Sequence, residues 1–582
     1  MKTLELFNAV EAKETNGNIF ISQDGFIIDS KAIWAKKEIL EYIKKEKLNG
    51  NDLNKTFHKS WSKIKNSSRF ELLLEQIEHY ISTYGSDFKD EIYIPNEILN
   101  LKDTPLKYRV IKSYTKEEFI QKSLDLLSSG IALKEETVDK VISLLTEDLN
   151  YVFTGDENIK NKEAIIKLAD NFGIYPKAPV EFLRYIIYKT TDNTLIIKNK
   201  ESIDSIKNSS YDPSKAFKDF GLTELSTIFN RFKPLFLAYK DKCPSVINKI
   251  SKLSKKNHKP LIDNPLNLAT QRLLTKDDIH WLENATIYSL FKTLVACYNR
   301  GVKKQDTFSY KIRNGKSWYN KKETNVSICL KNFKFIKEYI KSTVDLSNEK
   351  IYIPDDIKYA LPTSEKMFVG NVPTGTKFIG KKLAVGIYWE NGWGARDLDL
   401  SGNNIEGKVG WNSDYSQGNG KLMYSGDITN APNGAVEYLY ASNGLSSKTL
   451  VNVNVYYGDE QSGYKIIIGK GDSIDKDYMM NPGNLFVDIK TETVQKNNTV
   501  GLFLPEEENQ SFVVLNFGAG GRHISTYSEL ELNAFIQEWS NPFSLNELLD
   551  TLGVEMTDKD NCTIDLSLDN LEKDTFINLF NL

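Results

Sequence analysis

The second half of the chain repeats short apolar runs that are separated by turns rich in glycine, asparagine and aspartate. Within 450–456, apolar and polar side chains alternate one by one, as in a strand with one face in a core. Several short strands with such turns between them predict a β-sandwich. The seven predicted strands are 383–389, 436–440, 450–457, 464–468, 485–489, 500–504 and 512–517.

In the first half, apolar residues recur at every third or fourth position, which is the period of an amphipathic helix. Between 111 and 345 this pattern predicts an α-helical domain, in which Thr115 and Glu118 match a capping box. Near its end, Asn314-Gly315 between two alternating runs predicts a β-hairpin. The predicted helices are 115–129, 136–149, 161–172, 179–188, 222–232, 244–254 and 278–299.

The two ends of the chain have mixed patterns. Residues 1–110 predict a small α/β module with a strand pair at 20–29 and helices at 31–47, 52–65 and 69–84. In the last helix, apolar side chains at helical spacing are Leu72, Leu73, Ile77, Tyr80 and Ile81. The end of the chain predicts helices at 529–539, 544–552 and 568–579.

We therefore expect a multidomain α+β protein, mainly α-helical at its N-terminal side, with a β-sandwich and a short helical tail after it. The predicted parts are 1–110, 111–345, 346–525 and 526–582.

Composition excludes some classes of protein. Apolar residues make up 40% of the 582 residues, which is ordinary for a folded chain and too high for a disordered one. The four cysteines are scattered without a CxxC pair, so we expect neither a disulfide framework nor a zinc ribbon. The apolar runs are too short for a membrane span, and the first residues lack the features of a signal peptide. A cytoplasmic location is the resulting expectation.

Charge is distributed unevenly, although the net charge is only −3. Residues 249–341 contain 20 Lys/Arg against 7 Asp/Glu, whereas residues 381–582 contain 14 against 29. This asymmetry indicates either modules with separate partners or complementary surfaces within one molecule.

Two acidic segments are the best candidates for chemistry. In an extended chain, Asp397, Asp399 and Ser401 share one face, and adjacent carboxylates repel each other unless a cation neutralises them. Asp427 and Glu437 would add ligands if the second segment folds over the first. Oxygen donors without nearby histidine or cysteine favour Ca²⁺ or Mg²⁺. The alternative is that these acids cap turns and face solvent.

The same residues carry a resemblance to a known family. Residues 396–401 read Arg-Asp-Leu-Asp-Leu-Ser and residues 425–427 read Ser-Gly-Asp, and with the strand spacing over 380–525 they resemble the TerD-like domain of tellurium-resistance and stress-response proteins. The resemblance implies a calcium-binding β-sandwich in which Asp397, Asp399 and Asp427 are ligands.

The chain departs from the family pattern after Asp427. Ile428 stands where asparagine is common, and the acidic cluster that follows is reduced to Glu437. One metal position of the family is therefore expected to be weakened or lost. The whole chain also looks like larger bacterial proteins that join a helical N-terminal part to a TerD-like part.

The basic region is a second candidate site. Lysines at helical spacing, followed by a hairpin that mixes cations with aromatic side chains, suit contacts with RNA or single-stranded DNA. The alternative is an ordinary solvated, lysine-rich surface. The residues concerned are Lys249, Lys252, Lys255, Lys256, Lys259, Lys311, Arg313, Lys316 and Trp318.

Signatures of catalysis are missing from the sequence. The five histidines are far apart, and no HExxH, Walker or Gly-x-Ser-x-Gly motif is present. We therefore expect a non-enzymatic Ca²⁺-binding protein that acts as an interaction scaffold in stress response or tellurite resistance. The alternatives are a structural subunit of a larger assembly, including one encoded by a phage or mobile element, and an RNA- or single-stranded-DNA-binding protein.

Overall fold

A computed structural model describes most of the chain. The described residues are 1–14, 17–22, 25–58, 60–84, 109–259, 265–311, 317–470, 480–518 and 529–580. Within them, helices dominate the first half and antiparallel strands dominate the second, so the α+β prediction is confirmed at this level.

The N-terminal part combines a four-stranded sheet with helices. The strand order is β1-β4-β3-β2, with β4 parallel to both of its neighbours. The strand pair at 20–29 is confirmed, since β2 and β3 pair antiparallel, although Asp24 lies outside the described residues. The elements are α1 (Lys2–Phe7), β1 (Ala9–Glu11), β2 (Phe20–Ile21), β3 (Phe26–Ile28), α2 (Lys36–Glu46), α3 (Trp61–Asn66), α4 (Arg69–Tyr84) and β4 (Arg109–Tyr114).

The helix predicted at 52–65 is present only in its last part. Asp52–Asn54 form a single 3₁₀ turn, and α3 begins only after Ser60, whose hydroxyl accepts from the Lys63 amide. The backbone between them bonds to the second half of the chain instead. The Val436 amide donates to the Lys55 carbonyl at 2.9 Å, and the His58 amide donates to the Ser425 carbonyl at 3.0 Å. These tertiary bonds replace the helical ones.

The middle of the chain is helical, as predicted. The capping box is confirmed, because the Glu118 amide donates to the Thr115 hydroxyl at 3.2 Å and the Thr115 amide donates to the Glu118 carboxylate at 2.7 Å. The elements are α5 (Lys116–Ser128), α6 (Glu135–Ser143), α7 (Lys162–Phe172), α8 (Pro179–Thr191), α9 (Lys200–Asn208), α10 (Ser214–Phe220), α11 (Leu222–Ser226), α12 (Lys233–Ala238), α13 (Pro244–Asn257), α14 (Pro265–Gln271), α15 (Ile279–Glu283), α16 (Ile287–Cys297), β5 (Thr307–Lys311), β6 (Ser317–Lys321) and α17 (Val326–Thr343).

Two of the predicted helices here are too long. The helix predicted at 222–232 ends at Ser226, and the one predicted at 278–299 is split into α15 and α16. The split occurs because Thr286 caps α16 by accepting from the Ser289 amide at 3.3 Å. The β-hairpin is confirmed by antiparallel β5 and β6, and its Asn314-Gly315 turn lies outside the described residues.

All seven predicted strands are present in the second half, together with the ten-residue strand β13 that carries the first acidic segment and several strands of two to four residues. The elements are β7 (Lys350–Tyr352), β8 (Ile357–Lys358), β9 (Phe368–Val369), β10 (Val372–Pro373), β11 (Lys377–Gly380), β12 (Leu383–Trp389), β13 (Ala395–Asn404), β14 (Gly407–Gly410), β15 (Ser416–Gln417), β16 (Leu422–Tyr424), β17 (Ala435–Ala441), β18 (Thr449–Gly458), β19 (Gly463–Lys470), β20 (Leu485–Glu492), β21 (Asn497–Pro505) and β22 (Gln510–Gly518).

Two large antiparallel sheets pack face to face. One has the order β14-β13-β18-β21-β22-β11-β8 and the other β15-β16-β17-β12-β19-β20. Their contact is close at Gly402 of β13, where a Cβ atom would lie 3.4 Å from Leu439 and 3.5 Å from Leu422 of the other sheet. The side chains of both inner faces belong to one hydrophobic core.

The outer faces of both sheets are also covered, so the expected half-buried strand at 450–457 is wrong for most of its length. Leu450 belongs to a second core with Phe535 of the tail, against which Tyr319 of the hairpin packs. On the other sheet, the Trp61 ring lies 5.1 Å from the Tyr440 ring. Residues 449–455 are therefore buried on both sides.

The tail is only partly helical. Two short strands flank β7 in parallel, and the helix predicted at 568–579 is reduced to a 3₁₀ turn at Leu568–Asn570 and one short helix. The largest core extends from the N-terminal part through the sheets to the tail. The elements are α18 (Glu529–Trp539), α19 (Leu545–Leu552), β23 (Glu555–Met556), β24 (Ile564–Asp565) and α20 (Thr575–Asn578).

The structure also describes the cysteines and the apolar character of the helices. All four cysteines are free thiols. Among the described helices, none combines the length and the apolar character that crossing a membrane requires.

Candidate metal centre

The first acidic segment forms strand β13. Its pairing with β18 shifts register on both sides of Asp397, whereas Asp399 lies directly opposite Asn454. Leu398 and Leu400 are fully buried in the core, as their alternation with the acids indicates. Irregularities of this kind bend a strand locally without ending it.

The second acidic segment is a tight loop after β16, and Gly426 makes its shape possible. Its φ of +96° is one that residues with a side chain rarely adopt. A Cβ atom at this position would lie 2.8 Å from the His58 ring and 3.0 Å from the Phe57 ring. Glycine is therefore required both by the backbone and by the close approach of residues 57–58. The loop then carries Asp427 to β13.

Three carboxylates meet where these segments touch. Asp397, Asp399 and Asp427 each offer an oxygen within 4.8 Å of the others, and none of the three residues is more than 2% exposed. Calcium–oxygen distances are about 2.3–2.6 Å, so ligands on opposite sides of one ion lie about 4.6–5.2 Å apart. The spacing of the three oxygens is therefore within the range that ligands of one calcium ion span, and they would supply part of its six to eight oxygen ligands.

Within the described residues, the hydrogen bonds in this group do not reach every carboxylate oxygen. The side-chain amide of Asn454 donates to Asp399 Oδ2 at 2.9 Å, and the Tyr80 hydroxyl donates to Asp427 Oδ2. The other oxygen of Asp427, Oδ1, is buried and receives no hydrogen bond in the described part of the chain. A buried carboxylate oxygen without a donor is costly, and a cation would satisfy it.

The electrostatics indicate that the site lacks positive charge. Burial, followed by the charges of Asp427 and Asp397, raises the pKa of Asp399 well above its usual value. Burial also raises the pKa of Asp427 to about 6. Lys408 acts on both groups, but its ammonium donates to Asn412 at 2.6 Å, and burial lowers its own pKa to about 8. The carboxylates must therefore share protons or bind a cation.

Of the remaining two predicted ligands, Glu437 borders the group, since burial, followed by the charges of Asp427 and Asp399, raises the pKa of Glu437 well above its usual value. Glu437 is buried and accepts hydrogen bonds from the Leu400 amide, the Ile428 amide and the Tyr424 hydroxyl at 2.8–2.9 Å. It therefore ties β13 to the second acidic loop. Ser401 is buried further along β13, opposite Asn452.

Helix α4 contributes residues that sequence reasoning missed. The apolar spacing that predicts this helix marks only part of its buried face, because Leu72 is buried whereas Leu73, Ile77 and Ile81 are exposed. The polar residues Gln76 and His79 are buried instead, against the loop that carries Asp427. No local signal identifies them, since glutamine and histidine in a helix usually face solvent.

The structure places the basic region in two separate surroundings. The lysines of α13 and Lys259 are exposed, and α13 itself packs within a helical core of its own. The hairpin instead packs against α18. Arg313 and Lys316, and the side chains of Lys311 and Trp318, lie outside the described residues. The lysines concerned are Lys249, Lys252, Lys255, Lys256 and Lys259.

None of the protein-family models, curated proteins or solved structures compared with this chain matches it. The resemblance of 380–525 to the TerD-like domain therefore depends on the motif residues and the strand pattern alone.

Proposed function

We propose that this chain is a Ca²⁺-binding, TerD-like protein without enzymatic activity, and that it acts as an interaction scaffold in stress response or tellurite resistance. The observation that carries the proposal is the group of three buried carboxylates, Asp397, Asp399 and Asp427, with oxygens within 4.8 Å of one another. Calcium would neutralise the group and stabilise the fold by mass action.

Three further observations support calcium. The three acids are the same residues that the family resemblance implies as ligands. Within the described residues this group contains no histidine or cysteine, the ligands typical of zinc or copper. Asp427 Oδ1 also lacks a hydrogen-bond donor there. The role in stress response follows from the resemblance only, because fold does not determine function.

Calorimetric titration of Ca²⁺ into chelator-treated protein tests the proposal. We expect stoichiometric binding that is lost in the Asp397→Asn/Asp399→Asn double variant. The matched control is Glu507→Gln/Glu508→Gln, which removes two exposed charges from the turn between β21 and β22 and should bind like the wild type. If the folded wild type binds no Ca²⁺, the proposal is wrong, and self-association independent of metal would then favour a structural subunit of an assembly.

A second candidate function, binding of RNA or single-stranded DNA, is favoured by one observation. Five lysines on α13 and just after it are exposed, and their spacing largely shares one helix face. Replacing Lys252 and Lys256 with glutamine should weaken binding to a single-stranded oligonucleotide and reduce its dependence on salt. Absence of binding by the wild type at low salt would eliminate this candidate.

A further inference from the structure

Helix α4 lies over the candidate metal centre and bonds to the loop that carries Asp427. The Gln76 side chain makes two hydrogen bonds with the backbone of Asp427. Its side-chain amide donates to the Asp427 carbonyl at 2.8 Å, and its carbonyl accepts from the Asp427 amide at 3.2 Å. One turn further along, His79 accepts from the Thr429 amide at 3.2 Å. One face of α4 therefore holds the backbone of the loop on both sides of its acidic residue.

Tyr80 acts on the carboxylate of Asp427 itself. Its hydroxyl donates to Asp427 Oδ2, while Asp427 Oδ1 is buried without a donor in the described residues. Burial, reinforced by the charge of Asp427, raises the pKa of Tyr80, so the phenol remains a proton donor. A donor on one carboxylate oxygen orients the other, as outer-shell partners orient metal ligands.

Helix α4 is one of the elements that cover this group, because Tyr80 bonds to Asp427 and Gln76 bonds to its backbone. All three carboxylates are at most 2% exposed, so an ion can enter or leave only when the contacts around them open. The opposite side of α4 faces solvent, with Phe70 68% and Ile81 60% exposed. Among the described residues, the bonds between α4 and the loop that carries Asp427 therefore come from one face of the helix.

We propose that α4 is the lid of the cation site and that Tyr80 is a positioning residue for Asp427, so that cation binding and docking of α4 stabilise each other. This inference rests on the proposed function. The coupling is reciprocal: whatever the docked helix adds to the binding free energy of the ion, the ion adds to the docking of the helix.

Two measurements test the proposal with Ca²⁺ as the probe and the full chain as the protein. In the first, Ca²⁺ is titrated into wild type, Tyr80→Phe and Glu78→Gln. Tyr80→Phe removes only the hydroxyl and should weaken binding by about tenfold at unchanged stoichiometry. Glu78→Gln changes the exposed side of the same helix and should leave the affinity unchanged.

In the second measurement, amide hydrogen exchange of residues 69–81 is followed with and without Ca²⁺. We expect saturating Ca²⁺ to slow exchange in the wild type and to have no effect in Asp397→Asn/Asp399→Asn. This readout needs no variant of α4, so it remains decisive if Tyr80→Phe folds poorly.

The outcomes separate this inference from the proposed function. The lid proposal is wrong if the wild type binds Ca²⁺, amide exchange in α4 is unaffected by Ca²⁺, and Tyr80→Phe binds Ca²⁺ equally or more tightly. The proposed calcium site would be supported by that result. If the folded wild type binds no Ca²⁺, both are wrong. Slower exchange together with weaker binding by Tyr80→Phe supports the lid.

Discussion

Two histidines beside the candidate metal centre are buried, and burial lowers the pKa of His58 and of His79 to about 4. A neutral His79 is required by its contact, because its Nε2 accepts from the Thr429 amide. In the unfolded chain the same imidazole has a pKa of about 6.5. At the scale of the residue, this difference makes the fold sensitive to acid.

The sign of the effect follows from proton linkage. The folded-state pKa of His79 is lower than the unfolded one, so its stabilising contribution is complete above about pH 6.5 and is lost as the pH falls towards 4. We expect about 2 kcal/mol less stability from His79 at pH 5 than at pH 7.5. Urea unfolding at both pH values measures it, and His79→Gln should remove that part of the loss.

The exposed His280 provides the matched control. His280→Gln should lose as much stability between pH 7.5 and 5 as the wild type does. An equal loss in His79→Gln and in the wild type would contradict the assignment of this proton uptake to His79.

At the scale of the element, the loop at 425–429 packs against both helix α4 and residues 57–58. The buried face of α4 carries Gln76 and His79, and the loop approaches residues 57–58 so closely that only glycine fits at Gly426. The capping box of α5 is a contrast, because its partners are three residues apart and its bonds are local. Local elements of this kind are predictable, whereas the face that a helix buries depends on its neighbour.

Replacing Gly426 with alanine should disturb the loop in two ways. An alanine at this position would have to adopt a φ of +96°, which is unfavourable for a residue with a side chain. Its Cβ atom would also overlap the rings of His58 and Phe57. Overpacking of this kind costs about 1–3 kcal/mol, so we expect a loss of that size in the free energy of unfolding and weaker Ca²⁺ binding. Urea unfolding and calcium titration measure the two effects.

Gly392 provides a control for this substitution, because a Cβ atom there would meet nothing within 4 Å. Gly392→Ala should change neither stability nor calcium affinity. The close-packing argument fails if Gly426→Ala behaves in the same way as Gly392→Ala.

At the scale of the whole molecule, contacts between distant parts of the chain cover the sheets. Trp61, which is 3% exposed, packs on Tyr440, and the N-terminal backbone bonds to residues 425 and 436. Lys465 and Asp488 form a buried ion pair at 3.2 Å, and Asp488 also accepts from the Leu48 amide at 3.1 Å. The N-terminal part is therefore integral to the packing of the sheets.

Trp61→Ala should destabilise the molecule by about 3–5 kcal/mol, because it removes a large buried side chain between the two halves of the chain. Urea unfolding monitored by circular dichroism measures the loss. Phe172→Ala is the control, since Phe172 lies at the end of α7 and is exposed. A loss no larger than that of Phe172→Ala would mean that the N-terminal part contributes little to the stability of the sheets.

The local elements are predictable from the sequence. Strand β12, helices α4 and α18, the capping box of α5 and the hairpin pairing all follow from patterns within a few residues, because propensity, capping and turn chemistry are local. Asp397 and Asp399 share one face of a strand because side chains alternate along an extended chain, whereas the inclusion of Asp427 is implied only by the family resemblance or by a fold that brings the second acidic segment over the first.

Which of these elements contact each other depends on the folding of the whole chain. The first part of the helix predicted at 52–65 is replaced by backbone bonds to residues 425 and 436, and residues 449–455 are covered on both faces of their strand. The roles of Gln76 and Tyr80 beside Asp427 join residues about 350 positions apart. The physical reason is that burial and hydrogen bonding depend on what lies opposite in space, which no local pattern specifies.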